Sequence, residues 1–410
     1  MNANNGFVRA WRALGAIILA AAMAACGGGG GDSGSSSSSS NSNGANQVTV
    51  TVSNATGVVN LPMVSVTVCA PGSTSNCQTI NNIQVDTMSY GLRIVNTAMS
   101  QVLGSLAVTT DGSGNQIAEC TVFADGYTWG SVRKADVTIG GKTAGSVPVA
   151  VIGDMSSSTV PTVCANTGTA ENTVSALGAN GILGIGVSPY DCGSSCVNSA
   201  SGSPYFKCPG GTSCTQTTVA LADQVTNPVV KFSSDNNGIL LTMPAVSSSG
   251  ATSATGTMTF GIGTQSNNVL SASQKFGTDS GGNVNGSFNS AALTAAFFDS
   301  GSNGYFFEDN SLTTCSQSGY TSWYCPASAT TRTVSVSNAS GAAASGTVTL
   351  PIQSAFTLFN SGNFAFNDLA GHIGLTGYFD VGMPFFYGRT VYFGYDMTQV
   401  GGSQTPYVAF

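Results

Sequence analysis

Two short strings place a carboxylate beside hydroxyls on a tight turn between apolar runs. The later one reads Phe297-Phe298-Asp299-Ser300-Gly301-Ser302-Asn303-Gly304-Tyr305-Phe306-Phe307. The earlier one reads Ile83-Gln84-Val85-Asp86-Thr87-Met88-Ser89-Tyr90-Gly91-Leu92-Arg93-Ile94-Val95. Either alone means little in a chain so rich in Ser and Gly. Two copies with matched flanks, one in each half, predict two related lobes that contribute one Asp each. If Asp86 and Asp299 face each other, like charges at close range resist joint ionisation and the pair shares one proton. The ionised member can then take a proton from water while the protonated member polarises a carbonyl. That is general acid–base hydrolysis without a covalent intermediate. In the competing reading each Asp only caps its turn through side-chain–backbone bonds.

Other chemistries find little support. The one His of the chain, His372, stands between glycines and an isoleucine in a strand-like context, with no nucleophile motif to serve. There is no Gly-rich phosphate loop with a Lys, and so little His argues against transition metals. No metal and no cofactor are expected. The net charge is −7 with no Lys/Arg cluster, which disfavours nucleic acid and anionic membrane surfaces as partners.

The elements that must hold these loops follow from composition. Of 410 residues only 7% are charged, 53 are Gly, and Val, Thr and Ser are abundant. That composition predicts an all-β protein with many turns, and the length has room for two domains. Alternating Val/Thr runs from Val48 to Val68 read as edge strands. Ala118 to Gly141 reads as a hairpin turning between Asp125 and Gly130, with Gly140-Gly141 a second turn. Further strands are expected at Val229–Phe232, Ile239–Met243, Thr257–Phe260, Ala365–Leu369, Ile373–Phe379, Met383–Phe393 and Tyr407–Phe410. Asn96–Ser105 and Ser290–Ala296 are the helix candidates.

The N-terminus reads as an export address. Arg9 and Arg12 precede an apolar run from Leu14 to Met23, too short for a comfortable membrane span, and Ala24-Ala25-Cys26 follows. This resembles a bacterial lipobox, which implies a signal peptide over 1–25 and a lipidated Cys26 anchored in the outer membrane; ordinary secretion is the alternative. Residues up to Gln47 are nearly pure Gly, Ser and Asn, a tether with a reach on the order of 25 Å. Without Cys26 ten of the 11 Cys remain. In an exported chain they read as five disulfides, with Cys69–Cys77 and Cys315–Cys325 favoured by local closure and Cys120–Cys164 then the long one of the first lobe. Pairing among Cys192, Cys196, Cys208 and Cys214 stays open, and an irregular zinc site is the weaker reading of that group.

The two Asp strings resemble the active-site loops of pepsin-like aspartic proteases. Four further stretches agree in order. Tyr127-Thr128-Trp129-Gly130-Ser131 resembles that family's flap tip, and Asp136-Val137-Thr138-Ile139-Gly140-Gly141 the strand after it. Asn180-Gly181-Ile182-Leu183-Gly184-Ile185-Gly186 and Phe379-Asp380-Val381-Gly382-Met383-Pro384-Phe385-Phe386 resemble the segments packed against the two Asp loops. The chain is also similar to an uncharacterised family of bacterial lipoproteins. The resemblance implies a bilobal double β-barrel or sandwich with pseudo-twofold symmetry, with an N-terminal lobe over 48–227 and a C-terminal lobe over 228–410. It implies a monomer that binds a peptide or protein in the inter-lobe cleft. Asp86 and Asp299 would be catalytic, and Thr87, Ser89, Ser300, Gly301 and Ser302 would support them. Tyr127, Trp129 and Gly130 would form the flap. The sequence departs from the pattern at Met88, where the family has Gly, and at the bulky flap tip. Two functions therefore stand side by side: a tethered endopeptidase, and a non-catalytic module that binds a peptide or protein on the same fold.

Overall fold

The computed structural model describes residues 45–339 and 344–410. The expected signal peptide, Cys26 and the tether up to residue 44 lie outside the described residues. Among the described residues strands dominate, and the longest α-helical segments, Ser194–Asn198 and Ala355–Phe359, have 5 residues each. A β-branched, glycine-rich sequence favours this outcome.

In the first half the strands Met63–Cys69 and Cys77–Asp86 form a hairpin whose neck pairs Cys69 with Cys77. Gly126–Ile139 turns through Gly140-Gly141 into Lys142–Ile152. Both turn residues have positive φ, 54° and 79°, where glycine is favoured. Cys77–Asp86 continues sideways into Gly181–Ile185, then Tyr90–Val95, then Lys142–Ile152. Gly126–Ile139 pairs back onto Met63–Cys69 and closes the barrel. Val66, Ile83, Val85, Ile94, Val149 and Leu183 fill it, every one buried.

The second half repeats the central unit. Ala295–Asp299 runs parallel to Tyr378–Gly382, which is antiparallel to Tyr305–Phe307. In the first half Cys77–Asp86 runs parallel to Gly181–Ile185, itself antiparallel to Tyr90–Val95. The registers coincide: Asp86 lies opposite Gly184, and Asp299 opposite Gly382. A shared sheet joins the halves. Gln47–Val52 pairs along its length with Ala254–Phe260 and meets the first barrel through Thr51 and Met63. The sheet continues through Gly238–Met243, Arg389–Gly394, Tyr407–Ala409 and Lys275–Gly277. The first strand, read from sequence with the N-terminal lobe, thus hydrogen-bonds mainly to strands of the second half.

Several expected elements differ. Asn96–Ser105 forms two 3-10 turns, Asn96–Met99 and Leu103–Ser105, not a helix. Ser290–Ala296 is not a helix because its end is drafted into the strand Ala295–Asp299. Val229–Phe232 is a 3-10 turn, Pro228–Lys231, which starts at a proline with no amide to give a ladder and is capped by Asn227 Oδ1 on the Val229 amide at 3.0 Å. Ala365–Leu369 carries only a single bridge, and Ile373–Phe379 becomes strand only from Tyr378. Pro384 similarly converts the start of Met383–Phe393 into a 3-10 turn.

The disulfides are Cys69–Cys77, Cys120–Cys164, Cys192–Cys196, Cys208–Cys214 and Cys315–Cys325. The last two pairings of the first half settle the open group as two local loops. Each bond lies within one half of the chain.

Candidate active site

Asp86 and Asp299 each end a strand and turn the carboxylate back onto loop amides. Asp86 Oδ1 accepts from the amides of Met88 at 2.8 Å and Ser89 at 3.1 Å. Asp299 Oδ1 accepts from the Gly301 amide at 2.7 Å. Crossed bonds lock the two loops together. Thr87 Oγ1 donates to the Phe298 carbonyl and accepts from the Ser300 amide, each at 2.9 Å. Ser300 Oγ donates to the Val85 carbonyl at 2.8 Å, and Gln84 Nε2 to the Gly301 carbonyl at 2.9 Å. Thr87 and Ser300 each tie their loop to the opposite strand. These groups are buried, so an unmade bond would cost the desolvation of its partner.

The locked loops bring the two carboxyls together. Asp86 Oδ1 and Asp299 Oδ1 are each 3.0 Å from the point where a Cβ on Gly301 would stand, and Asp86 Cγ is 2.9 Å from it. Any side chain there would collide, so close approach, not backbone conformation, demands this glycine. The two carboxyls therefore converge on one point beside Gly301, and their charges act on one another. Withdrawal from water, then the charge of Asp86, push the Asp299 carboxyl well above the usual carboxylate range. The surroundings of Asp299 thus favour its protonated form.

The two loops are not identical. The Met88 amide makes the bond that the Gly301 amide makes in the other loop, so methionine leaves the loop undistorted. Its side chain runs onto a turn of the second half, with Sδ 3.1 Å from where a Cβ on Gly282 would stand. Ser302 Oγ bonds Asp299 Oδ2 at 2.8 Å. Ser89, at the same place in the first loop, does otherwise. Its amide, not its hydroxyl, reaches Asp86, because Oγ is turned against Gly184 and is buried without a partner.

Two neighbours escaped the sequence reading. Asp380 places Oδ2 2.6 Å from Ser302 Oγ and is 5% exposed. Strand register makes it the counterpart of Ile182, since Gln84 faces Ile182 as Phe297 faces Asp380. An acid inside an apolar strand was the signal available. Tyr90 buries its hydroxyl without a partner. Burial, then the charges of Asp279, Asp86 and Asp299, push its phenol above the ordinary value.

The expected flap residues are buried within the first half. Their hairpin pairs Gln116–Val122 with Gly126–Ile139 and turns before Gly126, earlier than expected. Trp129 is fully buried, lies edge-on to Phe206 at 5.4 Å and donates Nε1–H to Thr159 Oγ1 at 3.2 Å. Tyr127 packs in the same cluster, beside the Cys120–Cys164 disulfide. Gly130 backs onto the Val151 carbonyl, 1.7 Å from where a Cβ would stand. Two bulky aromatic rings at alternating positions of one strand bury on the hairpin's own apolar side, which places these partners within the first half. His372 pairs loosely with Glu308, Nδ1 to Oε1 at 3.8 Å. Two shallow hollows of about 360 and 290 Å³ are lined by residues other than the two aspartates. Among the described residues no group of three or more His, Cys, Asp or Glu side chains could hold a metal ion.

No curated protein matches the chain. Among solved structures, the crystal structure of an aspartic proteinase from Irpex lacteus aligns with a TM-score of 0.47 at 15% identity, covering 88% of this chain and 96% of that one. A family model described as "Protein of unknown function (DUF3443)" matches residues 42–410, and the chain belongs to that family.

Proposed function

We propose that this chain is an aspartic endopeptidase. One observation carries the reading: two aspartates from pseudo-equivalent loops converge on one point, each Oδ1 3.0 Å from where a Cβ on Gly301 would stand, held by crossed Thr87 and Ser300 bonds. A turn-capping role would need neither the pairing nor the loop-to-loop lock. In the reaction one carboxyl, Asp86, takes a proton from an attacking water. The other, Asp299, gives its proton to the oxygen of the scissile carbonyl. The resulting gem-diol then breaks its C–N bond. The amine nitrogen leaves with the proton first taken from water, and the hydroxyl proton returns to the pair, so the dyad ends as it began. Neither carboxyl forms a bond to the substrate.

A second reading, a peptide- or protein-binding module without turnover, is favoured by Met88. Its side chain packs from the first loop onto the turn at Gly282, a contact that glycine could not make. Incubation with an unfolded protein at about pH 4, where a shared-proton pair is singly protonated, separates the two. The endopeptidase reading expects fragments, and a transition-state peptide mimic should abolish them. Intact protein together with measurable binding of the mimic would favour the binding module.

The export signal extends the proposal to place. The chain is read as lipid-anchored through Cys26 to the outer membrane, its globule held off by the Gly/Ser tether. Mass spectrometry of the mature protein should find an acylated Cys26 at the N-terminus; an unmodified N-terminus elsewhere would contradict the anchor.

A further inference from the structure

Ser302 sits between two carboxyl oxygens. Its Oγ is 2.8 Å from Asp299 Oδ2 and 2.6 Å from Asp380 Oδ2. A hydroxyl has one hydrogen, so it can donate to one of them only. Were both oxygens bare, the second contact would set lone pair against lone pair at hydrogen-bond distance. One of the two carboxyls must therefore present a proton to Ser302.

The surroundings decide which. Asp299 has a use for its own proton on the inner side, where Asp86 lies, and its Oδ1 already receives the Gly301 amide. Asp380 has no such support. Its Oδ1 is buried without a hydrogen-bond partner, and its neighbours in register, Phe297 and Phe306, are uncharged. The 3-10 turn that follows, Met383–Phe386, carries no charge either. The charged groups acting on Asp380 are Asp299 and Asp86, both acidic.

We infer that Asp380 is a third carboxyl of this site, one that carries its own proton while Asp86 and Asp299 share another. It donates from Oδ2 to Ser302 Oγ, and Ser302 then donates to Asp299 Oδ2. Three carboxyls thus hold two protons and one negative charge, and the charge stays on the pair. Burial, then the charges of Asp299 and Asp86, hold the Asp380 carboxyl well above its ordinary range, in agreement. Asp380 acts as a positioning residue: it fixes the direction of the Ser302 hydroxyl and with it the outer oxygen of Asp299. The first lobe has no counterpart, with Ile182 in register and the Ser89 hydroxyl unpartnered. The asymmetry gives the outer oxygen of Asp299 a hydroxyl donor that Asp86 lacks, which eases negative charge on that oxygen.

The protonation claim stands apart from turnover, and only its kinetic consequence rests on the endopeptidase reading. Infrared difference spectra of the full protein at about pH 6, above the ordinary carboxyl range, test it directly. Wild type minus Asp380→Asn should show the carbonyl band of one protonated carboxylic acid. Ser302→Ala should keep that band and move it to higher frequency, as the acid loses its acceptor; this second variant decides if Asp380→Asn does not fold. Absence of the band, or a band that Ser302→Ala leaves in place, overturns the inference. Where wild type cleaves, Asp380→Asn should keep the pH profile, because its amide can donate to Ser302 in the same way. Asp380→Ile should lower kcat about tenfold with KM unchanged, the loss of one oriented hydrogen bond in the transition state. A profile displaced by a full pH unit in Asp380→Asn would show that Asp380 is charged and overturn the assignment. Failure of wild type to cleave would sink the proposed function and leave the infrared result to decide this one.

Discussion

Gly301 and Met88 occupy the same place in two copies of one loop, yet only one position forbids a side chain. A Cβ on Gly301 would press on the carboxyl of Asp86. Gly301→Ala should therefore cost about 1–3 kcal/mol of stability by overpacking and separate the carboxyls. Urea unfolding and peptide cleavage measured together should both show the loss; an unchanged pair of values would mean that the loops have slack. Met88→Gly is the converse change. It keeps the amide bond to Asp86 and removes the side chain packed over Gly282, so cleavage of large unfolded substrates should rise in kcat/KM. A fall would make Met88 part of the binding surface. The raised carboxyl of Asp299 also sets the sign of the pH response. Activity should persist above the range where ordinary carboxyls ionise, roughly pH 4. It should end as pH passes the raised value and the pair loses its acid.

At the scale of elements, the crossed bonds between loops are the joint on which the pair depends. Thr87→Ala would strand the Ser300 amide and the Phe298 carbonyl in a buried interface, at about 1–3 kcal/mol for each group left unpaired. Chemical denaturation should report that loss, and Thr87→Ser, which keeps the hydroxyl, should recover most of it. The sequence made the two Asp strands legible because the repeat carries both the acid and the residue that crosses over. The disulfides with short closures were legible for a similar reason: hairpin necks bring their cysteines together locally. Asp380 and Tyr90 were not, because their meaning depends on strand register between segments far apart in the chain. Tyr127 and Trp129 show what spacing alone leaves open. Their spacing of two along one strand puts both rings on the same face. That face packs against Phe206 and the Cys120–Cys164 bond, and nothing local in the string distinguishes it from a face that lines a cleft.

The whole molecule binds its halves through a sheet, the crossed loops and the shared core, while each disulfide stays within one half. Removing Cys120–Cys164, which spans 44 residues, should cost about 2–5 kcal/mol and loosen the hairpin that carries Trp129. Buried acids shape the pH dependence of stability. Asp299 and Asp380 sit well above the usual range, and burial pushes Asp368 up to about 6. A carboxyl raised in the folded state binds its proton more tightly there than in the unfolded chain. The stability it contributes is complete below roughly pH 4 and is lost as pH rises through the folded value. For Asp368 that window runs from roughly pH 4 to about 6. Asp380→Asn should remove one such proton from the balance and flatten the fall of stability across the acid-to-neutral range.

The central claim, that Asp86 and Asp299 form one catalytic pair, is tested most directly by comparing cleavage of an unfolded protein across pH for wild type, Asp86→Asn and Asp299→Asn, each shown to be folded. Asparagine keeps the shape and removes the charge and the exchangeable acid. Wild type should show a bell-shaped profile in acid, and either variant no detectable cleavage at any pH. Cleavage that survives in one of the variants, or its absence from wild type, would contradict the claim.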